Sequence, residues 1–378
     1  MKYSTTARAL TSLCLVCALL LVLSAPAFAT AQEISLSPPS LSAKSAVLID
    51  ACDRSVLYEK NAGEPMGMAS TTKIMTALVI AELLPLDMTV AIPAEAVNTE
   101  GSSVYLCEGE LLTVRELLCA LLLASANDAA VALSIAAAGS VEGFAEKMNR
   151  KAEALGLCDT HFVNPHGLYD DAHYTTAYEL AVISAAALEN PAVREIVATK
   201  KVTIPQGVTQ ECPEGETLRY LQNHNKLLSL YDGAIGVKTG FTKRTGRCLV
   251  SAAERDGLTL IAVTLNAPDD WNDHRAMLNY GYSLYERVTL FGVGEFTHSY
   301  GVAGGVEQYV TLTNSQPITL TLPKSAGNAR CTVSSPQRFE FAPLKAGEVL
   351  ATLTVTVGNK TATSPLITAF GVERAKKK

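Results

Sequence analysis

The sequence predicts an α/β (α+β) fold, an antiparallel sheet flanked by helices, followed by a small all-β C-terminal domain. Three observations carry this. Residues from about 41 to 291 mix strand and helix signals. Within them G-A-I-G-V-K-T-G-F-T, R-C-L-V-S-A-A-E and L-T-L-I-A-V-T-L-N follow one another through the turns K-R-T-G and R-D-G, as consecutive antiparallel strands do. After about residue 292, Thr- and Val-rich runs alternate apolar and polar residues, with turn residues about every eight to twelve positions.

The elements follow in order. Lys2 and Arg8 precede an apolar run from Leu13 to Leu23, and small residues follow at Ala27, Ala29 and Ala31. The run is too short for a comfortable membrane span and has the layout of a signal peptide, residues 1–31, cleaved after Ala29 or Ala31. Cleavage removes two cations and no acid, moving the formal charge from −6 to −8. S-A-V-L-I-D-A-C-D-R-S-V-L-Y-E-K reads as a hairpin around a polar A-C-D-R turn. S-T-T-K-I-M-T-A-L-V-I-A-E-L-L reads as an apolar helix starting at Ser70. The stretch from Val114 to Ala138 reads as a buried helix interrupted at Ser125 to Asp128. In T-A-Y-E-L-A-V-I-S-A-A-A-L, Thr176 and Glu179 have the spacing of a capping box. A helix over D-H-R-A-M-L-N-Y-G-Y-S-L-Y-E-R closes the first domain, residues 32–291. The β-rich domain covers 292–372, and a basic tail 373–378 ends the chain.

Composition excludes several classes. Of 378 residues, 48% are hydrophobic and 18% charged, so the chain can bury a large core and is not generally disordered. A net charge of −6 argues against a broad nucleic-acid-binding surface. Nine cysteines are too dilute for a disulfide-stapled miniprotein, and no C-x-x-C pair has the partner a zinc ribbon needs. Loss of Cys14 and Cys17 leaves seven, an odd number, so at least one thiol stays free. Cys119 and Cys248 sit in apolar runs and read as small buried hydrophobes.

Three short motifs carry chemistry. In A-S-T-T-K-I-M, Ser70 and Lys73 are three apart and share a helical face. A serine is a poor nucleophile without a base in reach, and a lysine serves as that base only where burial and nearby cations hold it near neutrality. In L-L-A-S-A-N-D-A-A a polar trio breaks an apolar run, and such groups need partners when buried. There Ser125 is placed to relay a proton to a leaving group, and Asn127 to hydrogen-bond a substrate amide. In I-G-V-K-T-G-F-T, Lys238 supplies a second cation, Thr239 a hydroxyl for a carboxylate, and Gly240 room for a close backbone approach. Each motif alone also describes an ordinary capped helix, helix break or strand end. Their order, with 55 residues from Ser70 to Ser125 and 113 from Ser125 to Lys238, decides between the two.

On these motifs the chain resembles the low-molecular-mass penicillin-binding proteins, serine-type D-alanyl-D-alanine carboxypeptidases. The stretches N-P-H-G-L-Y-D-D-A-H-Y-T-T-A and L-Q-N-H-N-K-L-L are similar to family segments, and the β-rich end resembles the family's second domain. The resemblance implies removal of the terminal D-alanine from the peptidoglycan pentapeptide through a Ser70 acyl-enzyme. β-Lactams would be covalent inhibitors at the same serine, and no cofactor or metal is implied. It makes Ser70 the nucleophile, Lys73 its proton acceptor, Ser125 and Asn127 the second motif, and Lys238, Thr239 and Gly240 the third. Backbone N–H groups of Ser70 and of a residue just past Gly240, with Thr242 the candidate, would form the oxyanion hole. Arg244 and Arg275 are the candidates for an arginine on the substrate's terminal carboxylate. The family's amphipathic membrane helix has no counterpart in the R-A-K-K-K ending, which leaves membrane association open.

Three other functions fit parts of the sequence. A class A β-lactamase needs a deacylating glutamate, and the region after S-A-N has no E-x-x-L-N pattern. A zinc peptidase would use His166, Asp170, Asp171 and His173, but H-G-L-Y-D-D-A-H reads as a hydrogen-bonded loop. Against a non-catalytic β-lactam sensor or wall scaffold stand the intact Ser70 and Lys73, which argue against a dead enzyme.

Overall fold

The structure is a computed structural model that describes residues 37–207 and 217–376. The signal segment, Cys212 and the last two lysines lie outside the described residues.

Two strands, β1 (Ser45–Asp50) and β2 (Val56–Lys60), form the expected N-terminal hairpin. Two small hairpins follow: β3 (Thr89–Ala91) with β4 (Leu111–Thr113), and β5 (Lys201–Pro205) with β6 (Leu218–Gln222). Then come β7 (Ala234–Thr242), β8 (Gly246–Arg255) and β9 (Leu258–Leu265), antiparallel and consecutive as the turn residues foretold. They join the first hairpin in one sheet of order β2-β1-β9-β8-β7. Strand β7 is therefore a sheet edge, with one row of backbone groups unpaired by strands.

The sheet is covered on both faces, which explains why β1 is buried at every position. Val47 and Ile49 point toward a core with the helices Lys73–Leu83, Val114–Leu123, Asn127–Ala138 and Ala177–Glu189. Ala46 and Leu48 point the other way, onto Met277 and Leu278 of the helix Asp270–Leu284. The helix after Ser70 is buried from Lys73 to Ile80 without a solvent face, so it is a central post of the domain.

Two local expectations change. Thr176 caps its helix by accepting from Glu179 N, at 3.1 Å, but Glu179 does not return the bond. Its carboxylate instead gathers Cys158 N, Asp159 N and Thr160 Oγ1, a tertiary demand that the local pattern does not reveal. The last helix of the first domain ends at Leu284, and Tyr285–Phe291 is strand β10 rather than helix end and linker.

Strand β10 pairs with β13 (Ile318–Pro323), so the β-rich part begins at Tyr285 and not at residue 292. Between and after these lie β11 (Thr297–Ala303), β12 (Tyr309–Asn314), β14 (Arg330–Ser334), β15 (Phe339–Phe341), β16 (Val349–Val357) and β17 (Lys360–Thr368). Six of these strands make a sheet of order β14-β16-β17-β12-β11-β15. In β16 the alternate residues Ala351, Leu353, Val355 and Val357 are buried, which is the period-two pattern of a half-buried strand. The two parts meet where Arg287 of β10 lies 3.8 Å from the Asp50 carboxylate and Lys360 bonds Asp53 at 2.7 Å.

Candidate active site

The segment that presents Ser70 is a 3-10 turn, Ala69–Thr72, and the α-helix begins only at Lys73. The helix thus starts three residues later than its apolar pattern suggests. The reason is local: Ala69 has φ +47°, and Thr71 and Thr72 donate their hydroxyls back to Met68 O and Ala69 O at 2.6 and 2.8 Å. Those i to i+3 closures hold the tighter turn. Two glycines press on it. A Cβ on Gly240 would stand 3.0 Å from Ser70 N and 3.1 Å from Met68 O and from Thr71 N. One on Gly167, at φ +88°, would stand 1.9 Å from Ala69 O. The backbone that Gly240 admits is therefore the chain's own nucleophile turn.

Ser70 and Lys73 do share a face: Lys73 Nζ lies 3.0 Å from Ser70 Oγ. Lys73 is fully buried, with Nζ also 2.6 Å from Asn127 Oδ1 and 2.7 Å from the His166 carbonyl. Both of these partners only accept, so a neutral amine gives them its two hydrogens and turns its lone pair to the serine hydroxyl. Burial first, and the positive Lys238 second, hold the Lys73 amine well below the usual lysine range, while Asp128 pulls the other way. Lys238 is itself buried and is pushed down to about 7 by that burial.

The second motif sits at the junction of Val114–Leu123 and Asn127–Ala138, with Ser125 at φ +62°. Ser125 lines the cavity above Ser70, and among the described residues no protein hydrogen bond engages its hydroxyl. Asn127 departs from its expected role. Its carbonyl oxygen is held by Lys73, and its Nδ2 donates to Glu100 O at 2.6 Å, so what touches it is the base and not an open subsite.

The edge strand supplies the third wall. Lys238 stands opposite Val250 and shares its face, toward Lys73, and donates to Thr239 O at 2.9 Å. Thr239, Gly240 and Phe241 line a cavity of about 320 Å³ together with Ser70 and Ser125. The Thr242 N–H donates to Thr245 Oγ1 at 3.2 Å inside the β7–β8 turn, so Thr242 does not offer the free amide expected of it for an oxyanion hole. Strand alternation directs the N–H of its neighbour Phe241 to the open edge instead.

The arginine candidates also shift. Arg244 pairs with Asp171 at 3.2 Å and lies over the Tyr169 ring, and Arg275 is exposed; neither lines the cavity. Arg247 does, on β8 opposite Phe241, and bonds Asp270 at 2.8 Å. His166 and His173 are buried loop residues. His173 pairs with Thr72 Oγ1 at 2.8 Å, His166 Nδ1 accepts from Leu168 N at 3.2 Å, and burial holds them down to about 4 and about 3. Sequence reasoning missed Asp128, whose buried carboxylate gathers Ser103 Oγ, Val104 N and Leu106 N and so fixes the loop beside Ser125. The signal was present: a carboxylate inside an alanine-rich run needs donors from elsewhere.

Known proteins resemble the chain over most of its length. A family model described as D-alanyl-D-alanine carboxypeptidase matches residues 32–269, and one described as the C-terminal domain of penicillin-binding protein 5 matches 285–374. The D-alanyl-D-alanine carboxypeptidase DacF of Bacillus subtilis is 32% identical, covering 97% of this chain and 95% of its own length. DacC of Escherichia coli is 31% identical over 91% and 88%. Among solved structures, penicillin-binding protein 5 of Haemophilus influenzae superposes with TM-score 0.72 and 25% identity, over 90% of this chain and all of that one. The Streptomyces K15 DD-transpeptidase gives TM-score 0.62 and 36% identity, over 66% of this chain and all of that one.

Proposed function

We infer the division of labour at this site from a plain premise: the chain belongs to the D-alanyl-D-alanine carboxypeptidase family of serine peptidases. It is a penicillin-binding enzyme of peptidoglycan metabolism. The roles of its residues are our reading. Neutral Lys73 takes the Ser70 proton as Oγ attacks the carbonyl between two D-alanines. The N–H groups of Ser70 and Phe241 receive the oxyanion. As the peptide C–N bond breaks, the proton passes from Lys73 through Ser125 to the departing amine, leaving an ester on Ser70. Water, deprotonated by the same lysine, releases the shortened peptide. Thr239 and Arg247 give the cavity a positive, hydrogen-bonding end suited to the terminal carboxylate, and the buried Lys238 adds its charge from the interior. Asn127 and the His166 carbonyl position the base. A β-lactam carbonyl would enter the same path and stop at the ester.

The observation that carries this reading is the buried Lys73 amine, 3.0 Å from Ser70 Oγ and held there by two carbonyl acceptors. The test is intact-mass analysis after benzylpenicillin, run beside D-alanine release from diacetyl-Lys-D-Ala-D-Ala. Wild type gains one acyl group on the Ser70 peptide and turns the peptide over; Ser70→Ala does neither. An adduct on Ser70→Ala would overturn the assignment, and labelling without D-alanine release would favour a sensor.

We also propose that the chain is exported and works in the cell envelope, with the pentapeptide as substrate. The support is the N-terminal charge and apolar pattern, together with the location of peptidoglycan outside the cytoplasm. Chemistry resides in the part that ends at Leu284, and the β-rich part from Tyr285 serves placement or stability.

A further inference from the structure

One titratable side chain faces the cavity without a role in the scheme above. His224 stands in the Asn-His-Asn turn between β6 and the short helix Leu227–Leu230. Its neighbours are structural. Asn223 Nδ2 donates to Val197 O and Thr199 O at 3.1 and 3.0 Å, and Asn223 Oδ1 accepts from Asn225 N at 2.9 Å. Asn225 Oδ1 accepts from Leu227 N at 3.1 Å, starting the short helix. The His224 backbone N–H reaches Leu123 O, 3.3 Å away at the end of the helix before Ser125. The backbone is thus tied on three sides, while the ring is exposed, lines the cavity beside Ser125 and Thr239, and has no protein hydrogen-bond partner among the described residues. Partial burial and the nearby Lys238 ammonium both favour its neutral form. Arg247 and Asp270 are the other charged groups lining the cavity.

We propose that His224 is a specificity-determining contact for the departing D-alanine, donating a ring N–H to its terminal carboxylate alongside Thr239. The inference rests on the Ser70 acyl-enzyme reading. Its argument is placement. The terminal carboxylate is the one obligatory anion at that end of the substrate, and Thr239 and Arg247, which line the cavity, mark where it goes. His224 lines the same cavity as Thr239, within the field of Lys238 and on the Ser125 side, next to the group that protonates the leaving amine. The turn already fixes the backbone, so only the ring's own rotation is lost on binding.

The test compares two substrates, diacetyl-Lys-D-Ala-D-Ala and its C-terminal amide, in wild type, His224→Ala and His224→Gln. Removing a hydrogen bond to a charged group is expected to raise KM for the acid about tenfold in His224→Ala, with kcat within about twofold. The amide lacks the anion, so its turnover should change less than about twofold. His224→Gln, which keeps an N–H donor, should recover most of the loss. Equal losses on acid and amide, or no loss on either, overturn the proposal. Melting temperatures identify a misfolded alanine variant, in which case the glutamine variant with its acid-to-amide ratio decides. Failure of the underlying reading looks different, because wild type itself would then release no D-alanine.

Discussion

Replacing Lys238 with methionine should make the protein more stable while damaging the enzyme. The lysine is 1% exposed, burial pushes its amine down to about 7, and among the described residues its one hydrogen-bond partner is the adjacent Thr239 carbonyl at 2.9 Å. At about 1.4 kcal/mol per unit, a fall from 10.5 to about 7 corresponds to a penalty of up to about 5 kcal/mol at neutral pH and below. Losing one local hydrogen bond returns about 1 kcal/mol, and methionine refills most of the volume. The net expectation is a gain of about 2–4 kcal/mol at pH 7. The sign has a pH signature. The folded-state pKa lies below the unfolded one, so folding expels a proton between about pH 7 and 10.5, and wild-type stability rises with pH across that window. The advantage of Lys238→Met should therefore be largest at pH 7 and shrink toward pH 10. Urea unfolding of both proteins at the two pH values measures it, with penicillin acylation as the functional readout. A variant less stable than wild type at pH 7, or an advantage independent of pH, would refute the buried-amine account.

Three further outcomes are expected. Gly240→Ala should slow acylation by benzylpenicillin at least tenfold with the fold intact by circular dichroism, because the three atoms nearest its Cβ, at 3.0–3.1 Å, are backbone atoms of the serine turn; unchanged acylation would mean the turn yields freely. Arg247→Ala should raise KM for the peptide acid about tenfold and Arg275→Ala should not, since only Arg247 lines the cavity; the reverse pattern in steady-state kinetics would restore the exposed arginine as the carboxylate partner. Acid should weaken the fold. Burial holds His166 and His274 down to about 3 and His173 to about 4, below the unfolded value of 6.5, so unfolding takes up protons and stability falls as pH drops from about 6.5 toward 4. A urea midpoint that stays flat over that range would count against three neutral buried rings.

What could be read in advance follows from the range of the forces involved. The three motifs were legible because each combines a local pattern with a chemical need: a base three residues from a serine, polar groups inside an apolar run, a glycine at a strand end. The consecutive strands β7, β8 and β9 were legible for the same reason, their turns being two to three residues long. Features set by distant partners were not. Nothing near Glu179 says that its carboxylate will serve residues 158–160 rather than its own cap. Nothing near Thr242 says that Thr245 will take its amide. Arg247 gains its place only when the start of the helix Asp270–Leu284 is laid against β8. The boundary was misplaced by seven residues because Tyr285–Phe291 follows a helix directly and finds its strand partner more than thirty residues later.

The two glycines that flank the serine turn have a bearing on how such an enzyme can change under drug pressure. With Gly240 on one side and Gly167 on the other, the nucleophile is gripped by main chain, which every substitution leaves in place. Exchange of a neighbouring side chain therefore offers little room for pulling the alcohol out of reach of an antibiotic while keeping it in reach of the natural peptide. Escape at this position requires displacing a whole strand or loop, and such a displacement would disturb the physiological reaction as well.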